Sequence, residues 1–315
     1  MQINVQEFSW QIILNPCAMS HRSGRFWAQI EKKLQSIPIQ YEYHVPELVE
    51  DAKILIKQLC KDGFRHFIVI GGDGTFNNFI NSIMESEIDP KEVYIIPIAL
   101  GTGNDWLRTH FKKNNFKYTM GSISGGNFTT HDVGLVEVIQ NKEVTARRYF
   151  INIAGFGFDA AIIKNANEHK PILFPAAVYI FGLLKTLLKH KAVRVSIESK
   201  EGTTEKMIFS MAIGIGQFNG NGMMQCPDAI PNDHLFDVIQ IEQISKMKVI
   251  KNVKYLFDGS HIQKLQEISM FRTQELHLKS DAVFWGEVEG ELLPSGAYKI
   301  SCIPAEINIL SELWN

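Results

Sequence analysis

The feature that most constrains this chain is a junction. The wholly apolar run Phe67–Ile70 passes directly into Gly71-Gly72-Asp73-Gly74-Thr75, and then into Phe76, Phe79, Ile80, Ile83 and Met84 at helical spacing. An apolar run without alternation reads as a strand buried on both faces, the habit of parallel sheets covered by helices. The same unit recurs on either side. Gln11–Leu14, Gln40–His44 and Tyr94–Leu100 read as strands. Arg25–Leu34 carries Phe26, Trp27, Ile30 and Leu34 on one helical face, and Glu47–Cys60 carries Leu48, Ala52, Leu55, Ile56 and Leu59. Strand–helix alternation over the first 110 residues predicts an α/β layer with a mainly parallel sheet.

The texture changes near Gly121–Asn127, a loop rich in glycine and serine. From there strands dominate: Asp132–Ile139, Arg148–Ile153, Val193–Glu198, Lys206–Gly216, Leu235–Glu242, Glu275–Leu278, Ala282–Glu289 and Tyr298–Cys302. Helices are expected over Asp159–Asn167, Pro175–Lys189 and Met247–Gly259. A chain of 315 residues exceeds one typical core, so two domains are expected. The boundaries fall at 1–130 with a returning strand over 303–315, and at 131–302. A formal net charge of -2 gives no global positive field, which argues against nucleic acid as a partner. Cys17, Cys60, Cys226 and Cys302 are too far apart for a zinc motif and read as thiols of a reducing compartment. The opening MQINVQEFSW lacks the pattern of a signal peptide. The apolar stretch Ile172–Leu188 contains Pro175, Gly182 and Lys185 and falls short of a bilayer core. Together these place the protein in the cytoplasm, and a reading that involves membranes requires docking from the inner surface.

Chemistry concentrates in a few segments. At a strand end opening a helix, glycines let the backbone approach a phosphate, and the helix start offers free N–H groups and positive potential. Gly71, Gly72, Gly74 and Thr75 therefore form a candidate phosphate loop. Asp73 fits beside phosphates only if a metal ion lies between; otherwise it is a helix cap. A second loop, Leu100-Gly101-Thr102-Gly103-Asn104-Asp105, follows the next strand, so the two could shape one cleft. Gly101, Thr102 and Asn104 become candidate nucleotide contacts, and Asp105 a candidate contact for an acceptor hydroxyl. Asn15-Pro16 ends the first strand, and Arg25 stands before the first helix in reach of a forked phosphate contact. Gly155-Phe156-Gly157-Phe158-Asp159-Ala160 matches a dinucleotide fingerprint, but the acidic residue that should follow about twenty positions later is missing. Near the end, Glu287-Val288-Glu289-Gly290-Glu291 places Glu289 and Glu291 on one face of an extended segment. Such a pair suits a metal or a general base, or else a solvated hairpin tip.

Taken in order, these segments resemble the diacylglycerol kinase catalytic-domain family, which includes sphingosine kinases and bacterial lipid kinases. The resemblance rests on Asn15-Pro16, Gly71–Thr75 continuing to Asn81, Gly101–Asp105, Asn152–Ala160, Pro227-Asp228-Ala229, Asp233–Val238 and Glu289-Gly290-Glu291. It implies a Rossmann-like α/β nucleotide-binding domain and a C-terminal antiparallel β-sandwich domain. It implies ATP with Mg²⁺, and transfer of the γ-phosphoryl group to a lipid hydroxyl at a membrane surface. Asn15 and Thr102 would border the nucleotide, and Asp73, Glu289 and Glu291 would be catalytic, with Glu289 the favoured base. A structural Mg²⁺ would lie near Asp233 and Leu235. A homodimer is compatible with the family. This chain departs from the family in having Asn78 for a glutamate, Glu289 for an aspartate, and Asp233-His234 for Asp-Gly. Two rival readings rest on the same residues. One is a soluble NAD kinase-like enzyme; the other is a non-catalytic sensor of lipid or nucleotide.

Overall fold

The computed structural model describes residues 1–15, 23–101, 103–168 and 184–314, with the backbone alone over 23–28. The chain forms two compact units. The first comprises Met1–Asp132, Gly220–Gly222 and Pro304–Asn315, and the second Val133–Asn219 and Met223–Ile303. The turn Gly220–Gly222 falls in the first unit. That turn joins the first unit because the Asn221 amide donates to Asp105 Oδ2 at 2.6 Å.

The first unit runs β1 (Ser9–Leu14), α1 (Ser23–Gln35), β2 (Gln40–His44), α2 (Val49–Lys61), β3 (His66–Gly71), α3 (Asp73–Met84), β4 (Tyr94–Ala99), α4 (Asp105–His110) and α5 (Phe116–Ser122). The sheet is parallel in the order β2-β1-β3-β4, and Asn308 and Ile309 add a last strand beside β4. Apart from their first residues, β3 and β4 are buried throughout, as their unalternating apolar sequence requires. α3 buries Phe76, Phe79, Ile80 and Ile83 against the sheet. Parallel connections put the turns after β1, β3 and β4 at one edge, so Asn15, Gly71, Gly72, Leu100, Gly101, Gly103 and Asn104 share it.

The second unit runs β5 (Phe128–Gln140, entered from the first unit), β6 (Glu143–Phe150), β7 (Ile153–Gly157) and α6 (Phe158–Glu168). A helical stretch through 184–189, α7, follows. Then come β8 (Val193–Ser199), β9 (Gly202–Gly214), β10 (Phe236–Glu242), α8 (Lys246–Asn252), α9 (His261–Lys264), β11 (Ile268–Thr273), β12 (Glu275–Lys279), β13 (Gly286–Val288), β14 (Glu291–Leu292) and β15 (Ala297–Leu310). Its pairings are antiparallel along β14-β13-β7-β9-β8-β12-β15, with β10 between β9 and β11 and β5 beside β6. The period-two geometry of strands divides the residues of β9 and β10. Met211, Ile213, Phe236 and Val238 enter the sandwich core with Phe150, Phe156 and Tyr298. Ser210, Ala212, Ile239 and Ile241 face the other way and line a cavity.

Several element boundaries differ from the sequence expectation. Arg148–Ile153 is not one strand: β6 ends at Phe150 and β7 starts at Ile153. The Ile151 and Asn152 amides leave the ladder because both donate to Glu289 Oε1, at 2.7 and 2.9 Å. Only Gly286–Val288 of the expected strand Ala282–Glu289 pairs, since Asp281, Ala282 and Val283 stand in solvent. The helix expected over Met247–Gly259 is α8 followed by a 3-10 turn, Val253–Leu256. Of Pro175–Lys189, residues before 184 lie outside the described residues.

Candidate active site

In the first unit the two glycine loops touch backbone to backbone. A Cβ on Gly101 would sit 2.7 Å from Gly72 Cα and 2.7 Å from Asn104 Oδ1. One on Gly71 would meet Thr75 Oγ1 at 2.4 Å. No side chain fits at either place without a shift, so contact alone accounts for these glycines. The Leu100 amide donates to Gly71 O at 2.8 Å and ties the loops together. Asn15 joins the same edge: its Nδ2 donates to Thr75 Oγ1 at 2.8 Å.

Asn104 adopts left-handed φ 49° and braces the second loop. Its Oδ1 accepts the Gly101 amide at 2.9 Å and its Nδ2 donates to Gly101 O at 2.8 Å. Asp73 occupies the first position of α3, and its Oδ1 and Oδ2 accept the Trp106 and Asp105 amides at 3.1 Å each. Burial pushes the Asp73 carboxyl upward, the two amide bonds oppose this, and the nearby Asp105 carboxylate adds to the rise. Asp105 is held by Arg108 Nε at 3.2 Å and by the Asn221 amide, so it braces the turn. Two acidic groups share the single cation of Arg108 at this corner, and each of their four oxygens accepts a hydrogen bond. A cleft with about 580 Å³ of empty space, some of it open to solvent, lies beside the loops, lined by Asn15, Thr75, Asn78 and Phe79 and by Pro46 and Val49. Thr102 and the Arg25 side chain lie outside the described residues.

In the second unit β13 and β7 pair Glu287 with Gly155. A Cβ on Gly155 would lie 2.4 Å from Glu287 Oε1 and 2.8 Å from Asp159 Cβ, so this glycine clears room for two carboxyl groups. Glu287 is buried and accepts the Gly290 amide at 2.7 Å. Burial pushes its carboxyl up to about 8, opposed by that amide and reinforced by Asp159 and Glu289. Asp159 is pushed up to about 6 by burial, against hydrogen bonds from Ser210 and Gln225. Glu289 stands at φ 49° and its Oε1 holds the Ile151 and Asn152 amides. Glu291 turns outward to Arg148 Nη2 at 2.8 Å. The carboxyls that belong together here are thus Asp159, Glu287 and Glu289. Glu291, which the sequence pairs with Glu289, goes elsewhere. Asp159 and Glu287 were not singled out by sequence, although Gly155 in mid-strand signals a close approach.

Asp159 also lines the cavity beneath β9 and β10, about 940 Å³ of empty space that includes some open to solvent. Phe158, Ile162, Leu187, Phe209, Ile239 and Ile241 make its wall apolar, and Ser210, Gln225 and His261 add polar groups.

The segment expected to hold a structural metal is arranged differently. Asp233 Oδ1 accepts the Leu235 amide at 3.1 Å, and Asp233 and Asp237 face the Arg272 guanidinium at 3.6 and 2.7 Å. The Arg272 guanidinium thus stands between the two carboxylates where a metal was expected. Among the described residues, no group of three or more His, Cys, Asp or Glu side chains is placed to hold a metal. Nor is any helix there long and apolar enough to cross a membrane.

Residues 9–136 match the sequence model of the diacylglycerol kinase catalytic domain. Residues 152–311 match that of the YegS C-terminal NAD kinase beta sandwich-like domain. The chain belongs to the diacylglycerol kinase catalytic-domain family, a family of lipid kinases. It is 26% identical to YtlR of Bacillus subtilis (strain 168), provisionally named a lipid kinase, over 95% of this chain and 98% of the relative. It is 25% identical to the diacylglycerol kinase of Staphylococcus saprophyticus over 90% of this chain and 91% of the relative. The crystal structure of a diacylglycerol kinase from Bacillus anthracis str. Sterne shares the fold, with a TM-score of 0.71 over 96% and 97% of the two chains at 18% identity.

Proposed function

We propose that this protein transfers the γ-phosphoryl group of ATP to the hydroxyl of a lipid alcohol. The observation that carries this reading is the apolar cavity of the second unit, with a carboxyl group in its wall. A soluble polar acceptor gains nothing from a wall of Phe158, Ile162, Phe209 and Ile239, whereas an acyl chain buries its methylenes there at about 0.8 kcal/mol each.

The nucleotide belongs to the first unit. Its phosphates meet Gly71–Thr75 and Gly101, with Thr102 and Arg25 as further contacts proposed from the sequence. Its nucleoside lies in the cavity beside Asn15, Thr75 and Asn78. Asp73, next to Asp105, would hold Mg²⁺, which when bound draws charge from the transferring phosphoryl group. The N–H groups at the start of α3 add to that stabilisation.

The acceptor belongs to the second unit. Its hydroxyl loses a proton as the bond from phosphorus to the lipid oxygen forms and the bond to ADP breaks. We assign that proton to Asp159 on two grounds. Asp159 lines the cavity, and a carboxyl near 6 is poised to take a proton at neutral pH. Glu289, the base favoured by the sequence, has one oxygen engaged by two amides, which suits a positioning role. Glu287, neutral at pH 7, keeps negative charge away from the site. Incubation with γ-labelled ATP and a total lipid extract tests the function. Label extracted into organic solvent, in a product that mass spectrometry identifies as a lipid phosphate, is the expected result. Label confined to the aqueous phase refutes it.

A further inference from the structure

α8 and the turn after it carry an unusual outer face. Val249, Asn252, Val253 and Leu256 follow helical spacing and line the apolar cavity. Met247, Ile250, Lys251 and Lys254 follow the same spacing on the side turned away from it. A helix covering a cavity should present polar residues outward. Here Met247 is 60% exposed, Ile250 43% and Phe257 56%, while Val253 at the rim is 44% exposed. Single exposed apolar residues are ordinary, but four within twelve positions form a patch.

The patch is also basic. Residues 246–257 contain four lysines and no acidic residue. Lys246 donates to His190 O, and Lys248 is paired with Glu267 at 2.7 Å. Lys251 and Lys254 remain exposed, with Lys254 lying over the Tyr255 ring. The bond from Lys246 to His190 sets α8 beside the end of α7. There Leu188 is 69% exposed, and residues 184–194 add Lys185, Lys189, Lys191 and Arg194, again with no acidic residue. In a chain of net charge -2 this concentration is local.

From this surface we infer that α8 and the Val253–Leu256 turn dock the protein on an anionic bilayer. Met247, Ile250 and Phe257 enter the headgroup layer, and Lys251 and Lys254 meet lipid phosphates. The occupant follows from charge complementarity. Apolar residues interleaved with lysines match a negatively charged interface that has an apolar interior, and the same element walls the cavity on its other side. A lipid alcohol leaving that interface enters the cavity at Val253 without crossing water. The inference rests on the lipid-acceptor reading above, and its test separates the two.

Vesicles of phosphatidylcholine alone, and vesicles with a third of phosphatidylglycerol, are mixed with the full-length protein without nucleotide and floated on a density gradient. The wild type is expected on the anionic vesicles and not on the neutral ones. A lysine near an anionic surface contributes about fivefold in partition, so Lys251→Gln with Lys254→Gln is expected to weaken binding about 25-fold. Met247→Ser with Ile250→Ser is expected to abolish flotation while leaving the circular-dichroism melt within a few degrees. Both variants are expected to keep full turnover of a short-chain lipid alcohol in detergent. Wild type that ignores anionic vesicles, whatever acidic protein it binds instead, overturns the inference. So does unchanged flotation of both folded variants. Flotation as described without turnover of any lipid alcohol overturns the acceptor reading and leaves the docking surface standing.

Discussion

Gly101→Ala probes the contact on which the proposed phosphate cradle depends. The added methyl carbon would lie 2.7 Å from both Gly72 Cα and Asn104 Oδ1, and 3.6 Å from the Gly72 amide nitrogen. Carbon atoms rest at about 3.5–4.0 Å, so relief requires the two loops to part by about 1 Å. Neither neighbour is the loose end of a long side chain. Gly72 is backbone, and Asn104 is fixed by two hydrogen bonds to Gly101 itself. Overpacking of this kind costs about 1–3 kcal/mol, and melting should fall by several degrees. The larger effect is on rate. A displacement of about 1 Å in a group that positions phosphate costs on the order of a hundredfold in kcat. The control is Gly121→Ala in α5, where nothing lies within 4 Å of the new Cβ. That variant should gain about 0.5–1 kcal/mol of stability and keep its activity. Melting curves and initial rates against ATP concentration measure both effects. Gly101→Ala with the melting temperature and kcat of the wild type would refute the claim that the loops form one rigid cradle.

Further outcomes follow from the carboxyl groups. Glu287 has its folded value raised to about 8, so its contribution to stability is complete below the ordinary glutamate range and is lost as pH rises through 8. Glu287→Gln should therefore gain up to a few kcal/mol over the wild type between pH 5 and pH 9, read as diverging melting temperatures; parallel pH profiles would contradict the buried-carboxyl account. Asp159→Asn should lower kcat by two to four orders of magnitude, whereas Glu289→Gln, which still accepts the Ile151 and Asn152 amides through its amide oxygen, should lose about tenfold or less. The reverse order in single-turnover rates returns the proton to Glu289. Asp73→Asn keeps one of the two backbone acceptors and sets its NH2 against the other N–H, so it should lower the melting temperature by several degrees, and it should weaken metal-dependent ATP binding in calorimetry by at least tenfold.

The parallel layer was legible because each of its signals is local. The run Phe67–Ile70, the glycines after it and the helical spacing of Phe76 to Ile83 lie within eighteen residues and report directly on β3 and α3. The carboxyl cluster of the second unit was less legible because register creates it. Asp159 and Glu287 stand 128 positions apart and meet only because β13 pairs Glu287 with Gly155. Sequence treats Glu289 and Glu291 as partners two apart on a strand. The left-handed turn at Glu289 and Gly290 cancels that geometry and sends Glu291 to Arg148. The break between β6 and β7 escaped for the same reason, since the acceptor of the two missing amides is a side chain 137 or 138 residues away. The helical pattern of Met247–Gly259 was visible, but which of its faces is buried depends on a cavity built by β9, β10 and α6.

The central claim is that the cavity beneath β9 and β10 receives the chain of the lipid that is phosphorylated. Ile162, half-buried on α6, lines that cavity without belonging to the sandwich core. Initial rates of the wild type and Ile162→Trp, measured with short-chain and long-chain lipid alcohols dispersed in the same detergent, test it directly. The account predicts a rise of at least tenfold in KM for the long-chain acceptor, with the short-chain KM and the KM for ATP unchanged. Equal effects on both acceptors, or none on either, would contradict it.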